Sequence, residues 1–249
     1  VPSPRYENLM EIQPLAARGE AGHRIVTIDT GDGAALAFFL AVWLVYNIVT
    51  EHGPLAARGL SQAMNRQREC WMQVMLLRDL RMIDTAIMAG LQQGTAFFAS
   101  ACIFAIGGCF ALFSSADQIA TIAAELPFHA RLDRALVEIK LLGLVTIFAY
   151  AFFKFGWAYR LFNYCSILIG AIPMRAEADL DPDAAERALA KATRLNQLAG
   201  KHFNSGLRAV FFAIAYLGWF LGPTALVAAT ILVVVILAHR QFMSNARRA

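Results

Sequence analysis

Four stretches of this chain stay apolar for about the length a helix needs to cross a bilayer, roughly 20 residues. One of them, around Leu141 to Tyr159, is broken at depth by a single cation, Lys154. An ionised side chain inside a spanning segment costs roughly 2.5 to 3.5 kcal/mol even on the lenient insertion scale, unless it is paired or hydrated. Lys154 therefore needs a compensating neighbour, and a membrane fold becomes the frame for every other residue.

The rest of the composition agrees. The 249 residues are 58% hydrophobic and 16% charged, against about 45 to 50% apolar and 25% charged in soluble domains. The net charge of +4 comes from basic residues in the loops flanking the apolar runs, which is not the aromatic-interleaved stripe of a nucleic-acid binder. Cys70, Cys102, Cys109 and Cys165 form no C-x-x-C pair, so they read as small packing residues rather than a disulfide framework or a zinc site.

The first apolar run covers Ala34 to about Thr50, with Asp29, Thr30 and Asp32 ahead of it as candidate caps. The second, about Ala86 to Ser114, carries the small residues Ala99, Ser100, Ala101, Ala105, Gly107 and Gly108, which let helices approach closely in lipid. The third covers about Val137 to Tyr159 and can continue to Ile172, before Pro173. The fourth, Leu207 to Ala238, measures about 48 Å at 1.5 Å per residue, more than one crossing needs. Gly222 and Pro223 divide it, so it reads either as one kinked span or as two shorter segments.

The expected fold is thus all-α, a four-helix membrane bundle with helical extensions on the cytoplasmic side. Its parts are a polar N-terminal extension (1–33), a four-span membrane domain (34–239) with cytoplasmic helices at about 62–84 and 183–203, and a basic C-terminal tail (240–249). Each cytoplasmic helix is expected to run on into the next span. Twelve Lys and Arg residues lie in the two loops between spans one and two and between spans three and four. The positive-inside rule makes that side cytoplasmic and, with four spans, puts both termini outside it. A re-entrant fourth segment would instead bring the C-terminus to the cytoplasm.

On the third helix Lys140, Gly143, Ile147, Tyr150, Lys154 and Trp157 share one face at 3-and-4 spacing. Lys154 is expected to pair with Asp84, inside a charged collar of Arg78, Asp79, Arg81, Glu51 and Arg160. The other readings are that it snorkels to the headgroups or serves an ion or proton path. Tyr150, Trp157, Gln92 and Asn163 are candidates for a polar and aromatic lining. Arg175, Arg194, Lys201 and Arg208 are candidates for holding lipid phosphate. No catalytic motif, metal-ligand spacing or cofactor signature is present, so no catalytic residue, metal or cofactor is expected.

The strings R-E-C-W-M and R-D-L-R-M-I-D-T before the second span and F-F-A-S within it stand beside A-F-F-K-F-G-W and R-L-F-N-Y-C-S-I-L-I-G-A-I-P in the third and K-H-F-N-S-G-L-R before the fourth. On these the chain resembles an uncharacterised family of bacterial multi-spanning membrane proteins with plant relatives, known only as a domain of unknown function, the 599-type. The resemblance implies four spans and a bacterial inner-membrane location, and it supplies no reaction, ligand or partner. The expected function is a non-enzymatic integral membrane protein, self-associating or an accessory subunit of a larger assembly. The alternative is an oligomeric ion or small-solute channel or transporter built around Lys154. Expected partners are anionic membrane lipids and further copies or subunits, with no nucleic acid.

Overall fold

The computed structural model describes residues 29–125 and 133–243, and all of the regular structure among them is helical. Residues 1–28 of the expected N-terminal extension and 244–249 of the tail lie outside the described residues. The chain runs through α1 (Thr30–Glu51), α2 (Gly53–Ala57), α3 (Leu60–Leu76), α4 (Met82–Phe113), α5 (Ala116–Glu125), α6 (Arg134–Ala171), α7 (Arg175–Ala178), α8 (Pro182–Leu217) and α9 (Pro223–Ala238). Five of these, α1, α4, α6, α8 and α9 with the helical turn that continues it to Met243, are long and apolar enough to cross a membrane. Helices suit that setting because each bonds its own backbone groups where water is absent.

Local chemistry explains most of the boundaries. The Asp133 carboxylate accepts from the Leu136 N–H at 2.8 Å to open α6. Asp181 accepts from Ala184 at 3.0 Å to open α8, with Pro182 in the first turn. Both side chains satisfy amides that have no partner inside the helix. α6 stops just before Pro173, whose missing N–H cannot continue the ladder.

The fourth apolar run is two helices, which corrects the four-span expectation to five. A 3₁₀ turn, Gly218–Leu221, ends α8, and Gly222 then takes φ 130° and ψ 170°. That conformation is open essentially to glycine alone. Pro223 then starts α9, which folds back along α8, so that Arg240 beyond its end lies 5.8 Å from the Phe211 ring. The reversal puts the first and last described residues at opposite ends of the bundle, whereas four spans would have placed both on one side.

α6 is central, flanked by α4 on one side and α8 on the other, while α1 and α9 pack on each other and α9 on α8. Phe39, Phe212, Tyr216, Trp219 and Leu226 form the core where α1, α8 and α9 meet. A second core, with Met72, Met88, Phe162, Cys165 and Leu189, joins α3, α4, α6 and α8 farther along. At 1.5 Å per residue α4, α6 and α8 are about 48, 57 and 54 Å long, and α1 about 33 Å. The three long helices therefore continue past the end of α1 as a stalk, against which α3 lies. α8 runs unbroken from stalk to span as expected. The 62–84 segment does not: residues 77–81 turn the chain between α3, which packs on α8, and α4, which packs on α6.

Candidate functional site: two charged layers and a cationic groove

Two clusters of ionised side chains mark the ends of the α1 region. At the first, Lys140 is 1% exposed, and its Nζ donates to the Trp219 carbonyl at 2.7 Å. The same Nζ lies 3.6 Å from an Asp32 carboxylate oxygen and 4.9 Å from the Trp219 ring centroid. The Trp219 indole N–H donates to Asp32. One carboxylate, one ammonium and one indole therefore satisfy each other away from solvent, which a buried charge requires.

At the second, the Arg208 guanidinium donates to Asn47 Oδ1 at 2.8 Å and to Glu51, while Lys201 reaches the other Glu51 oxygen at 3.1 Å. Asp32 and Glu51 are about 28 Å apart along α1 at 1.5 Å per residue. That matches a hydrocarbon core of about 30 Å. The clusters sit where a charge can reach headgroups, and the layer between them is aromatic: Phe39, Trp43, Phe212 and Tyr216 meet edge-on or stacked at 5.5 to 5.9 Å.

Lys154 does not pair with Asp84. Its ammonium lies 5.2 Å from the Tyr150 ring centroid, and no described carboxylate comes within salt-bridge distance. Asp84, fully buried, accepts from Arg78 and from the Trp71 indole, the latter at 2.7 Å. Helix register is the reason. Phe155, next to Lys154, stacks on Phe98 with centroids 5.5 Å apart. Asp84 is about 21 Å farther along α4 from that point.

The expected collar divides in the same way. Arg78 serves Asp84. Arg81 donates to the carbonyls of Ile169, Ile172 and Pro173 at 2.6 to 3.0 Å, closing the C-terminal end of α6. Glu51 belongs to the Arg208 cluster, Asp79 is exposed, and Arg160 donates to the Tyr164 hydroxyl at 2.6 Å while lying against the Trp157 ring.

The expected lining residues bridge helices at separate levels. Gln92 donates to Asn163 and Ser166 across α4 and α6 at 2.8 and 3.0 Å. Tyr150 bonds Ser205 of α8 at 3.3 Å, and Trp157 meets His202 edge-on at 6.4 Å.

Three of the four expected phosphate-binding residues do come together. Arg194, Lys201 and Arg208, spaced seven apart on α8, line a groove of about 290 Å³ with Glu51, Ser61 and Asn65. Arg175 lies outside it, exposed on α7. A second groove of about 210 Å³ adjoins the first through Thr50, Ser61, Asn204 and Arg208, and adds Arg68 and Arg240. Arg68 lies against Gly200, where a methyl would collide with its guanidinium, and burial pulls its pKa below the ordinary arginine value.

The Asp32–Lys140–Trp219 cluster was missed in the sequence. The available signal was an acid just ahead of the first apolar run and a base just inside the start of the third.

No curated protein and no solved structure matches the chain. The model of the family described as "Protein of unknown function, DUF599" matches residues 34–246. That span takes in α4, α6, α8, α9, α1 from Ala34 onward and every residue of the two charged layers except Asp32, and the chain belongs to this family.

Proposed function

We propose that this protein is a non-enzymatic subunit of a bacterial inner membrane that associates with further copies of itself through α4. The observation that carries the reading is the outer face of α4. Ile83, Ile87, Gly90, Gly94, Phe97, Ala101, Phe104 and Gly108 recur at alternating steps of four and three, and every one is exposed. That is the spacing of a seam between two helices, and Gly90 and Gly94 supply a small-xxx-small pair that lets two helix backbones approach closely. A methyl added at any of the four glycines of this helix that the seam includes or borders (Gly90, Gly94, Gly107, Gly108) meets no atom of this chain within 4 Å. The seam begins on the stalk, where Ile83 and Ile87 lie beyond the Glu51 layer and would otherwise face water.

The cation-rich end is the cytoplasmic one in this reading. Among the described residues Arg58, Arg66, Arg68, Arg175, Arg187, Lys191 and Arg194 gather at the Glu51 end and beyond, against Arg134 and Lys140 at the other. Five crossings then put the start of α1 outside and the end of α9 inside. A channel around Lys154 draws less support, because Gln92 is held at Asn163, about 13 Å along α6 from Lys154, and both Gln92 and Tyr150 are engaged in bonds between helices.

Disulfide trapping in native membranes tests the reading. In a Cys70→Ser background, Phe97→Cys is expected to form disulfide-linked dimers on mild oxidation, because a seam brings equivalent positions within the 4.4 to 6.8 Å Cα separation that a disulfide needs. Phe153→Cys, exposed on α6, is expected not to. Adding Gly94→Leu should abolish the dimer. Absence of cross-linking at Phe97, or equal cross-linking at both positions, overturns self-association through this face.

A further inference from the structure

We propose that the two adjoining grooves at the Glu51 layer form one binding site for an anionic phospholipid, with the phosphate among Arg194, Lys201 and Arg208 and an acyl chain along the second groove. Charge is the first argument. The two grooves are lined by five cations, Arg68, Arg194, Lys201, Arg208 and Arg240, and by a single described carboxylate, Glu51. Glu51 is bonded to Arg208 and Lys201, so a surplus of positive charge remains. Arg194 has no carboxylate within 4 Å among the described residues. A phosphodiester supplies the missing anion and the oxygens that guanidinium and ammonium donors need.

The division of chemistry between the grooves is the second argument. The second groove carries Leu60, Met64, Leu207, Phe211 and Leu237 beside its three arginines. A free phosphate compound would use only the cations, whereas an amphiphile uses both halves. Depth is the third. The site lies at the end of α1, about 28 Å along that helix from the opposite charged layer, where the glycerol and phosphate of a lipid sit. The site lies away from the α4 seam, so it stands or falls independently of self-association.

Native mass spectrometry of protein purified from nanodiscs containing equal phosphatidylglycerol and phosphatidylcholine reads retained lipid directly. Wild type is expected to keep phosphatidylglycerol in preference to phosphatidylcholine. Arg194→Gln/Lys201→Gln, both exposed side chains, should lower that retention about tenfold or more, given the contribution of each cation near an anionic surface. Arg175→Gln, outside the groove, should leave it unchanged. Met64→Asp places a carboxylate in the apolar half and should reduce retention while Arg194 and Lys201 remain. A melting curve on each variant identifies any that fail to fold, and the two halves of the site give independent variants.

Undiminished retention in both altered grooves overturns the site. An equal loss in Arg175→Gln reduces it to general surface charge. Displacement of the lipid by millimolar inorganic phosphate or glycerol 3-phosphate, with Met64→Asp behaving as wild type, would identify a soluble phosphate ligand and overturn the lipid assignment.

Discussion

Replacing Lys140 with methionine tests which lysine this bundle depends on. The Lys140 side chain is 1% exposed and its ammonium serves both the Trp219 carbonyl and Asp32. Loss of a hydrogen bond from a charged donor costs about 1.5 to 3 kcal/mol, and breaking a buried pair so that one charge is stranded costs about 3 to 5 kcal/mol in total. Asp32 keeps the Trp219 indole and a place in the first turn of α1, where the helix dipole favours a carboxylate by up to about 1 kcal/mol. The net expectation is about 3 kcal/mol. Lys154→Met removes only a cation lying over the Tyr150 ring, a contact of about 0.5 to 1 kcal/mol. At roughly 2 to 4 °C per kcal/mol for a chain of this size, Lys140→Met should lower Tm by about 6 to 12 °C and Lys154→Met by no more than about 4 °C.

Thermal unfolding in detergent, followed with a thiol-reactive fluorophore, suits the protein because Cys102, Cys109 and Cys165 are free and buried. Lys140→Met/Asp32→Asn should recover about half of the loss, since the amide still accepts from Trp219 and no charge is left unpaired. A Tm within about 2 °C of wild type for Lys140→Met, or a larger loss in Lys154→Met, would refute the assignment of the buried ion pair.

Two further substitutions examine the packing. Gly206→Ala builds a methyl into the Phe155 ring, which is itself stacked on Phe98, so a loss of about 1 to 3 kcal/mol is expected in the same assay. A neutral result would mean that α6 and α8 approach less closely than described. Gly222→Ala forces a side chain into φ 130° and should cost about 1 to 3 kcal/mol. Because the turn returns α9 to α1 and α8, limited proteolysis should also cut near residue 222 in the variant and not in wild type. Unchanged stability and protection would count against the reversal.

Helix identity and much of the boundary placement were legible along the chain because they depend on neighbours a few residues apart. Apolar runs of bilayer length and Pro173 as a stop both act through local backbone bonds. The seven-residue spacing of Arg194, Lys201 and Arg208 placed them on one face of a helix for the same reason. Gly222 and Pro223 announced a break, yet a kink and a reversal begin with the same two residues. Only the burial of Leu226, Val233 and Leu237 against α1 and α8 selects the reversal, and with it five spans instead of four.

The partners of the charges were decided at the tertiary level. Asp84 and Lys154 looked matched in depth when each helix was measured from its own end, but the Phe98–Phe155 stack sets α4 against α6 in another register. Asp84 is thereby left to Arg78 and Trp71. Asp32 and Lys140 come from helices far apart in sequence and meet through Trp219 at the end of a third. Local sequence determines that a segment is a helix and which face is apolar. How far one helix slides along another is determined by side chains that meet only after the chain has folded, and the position of every charge in this bundle follows from that sliding.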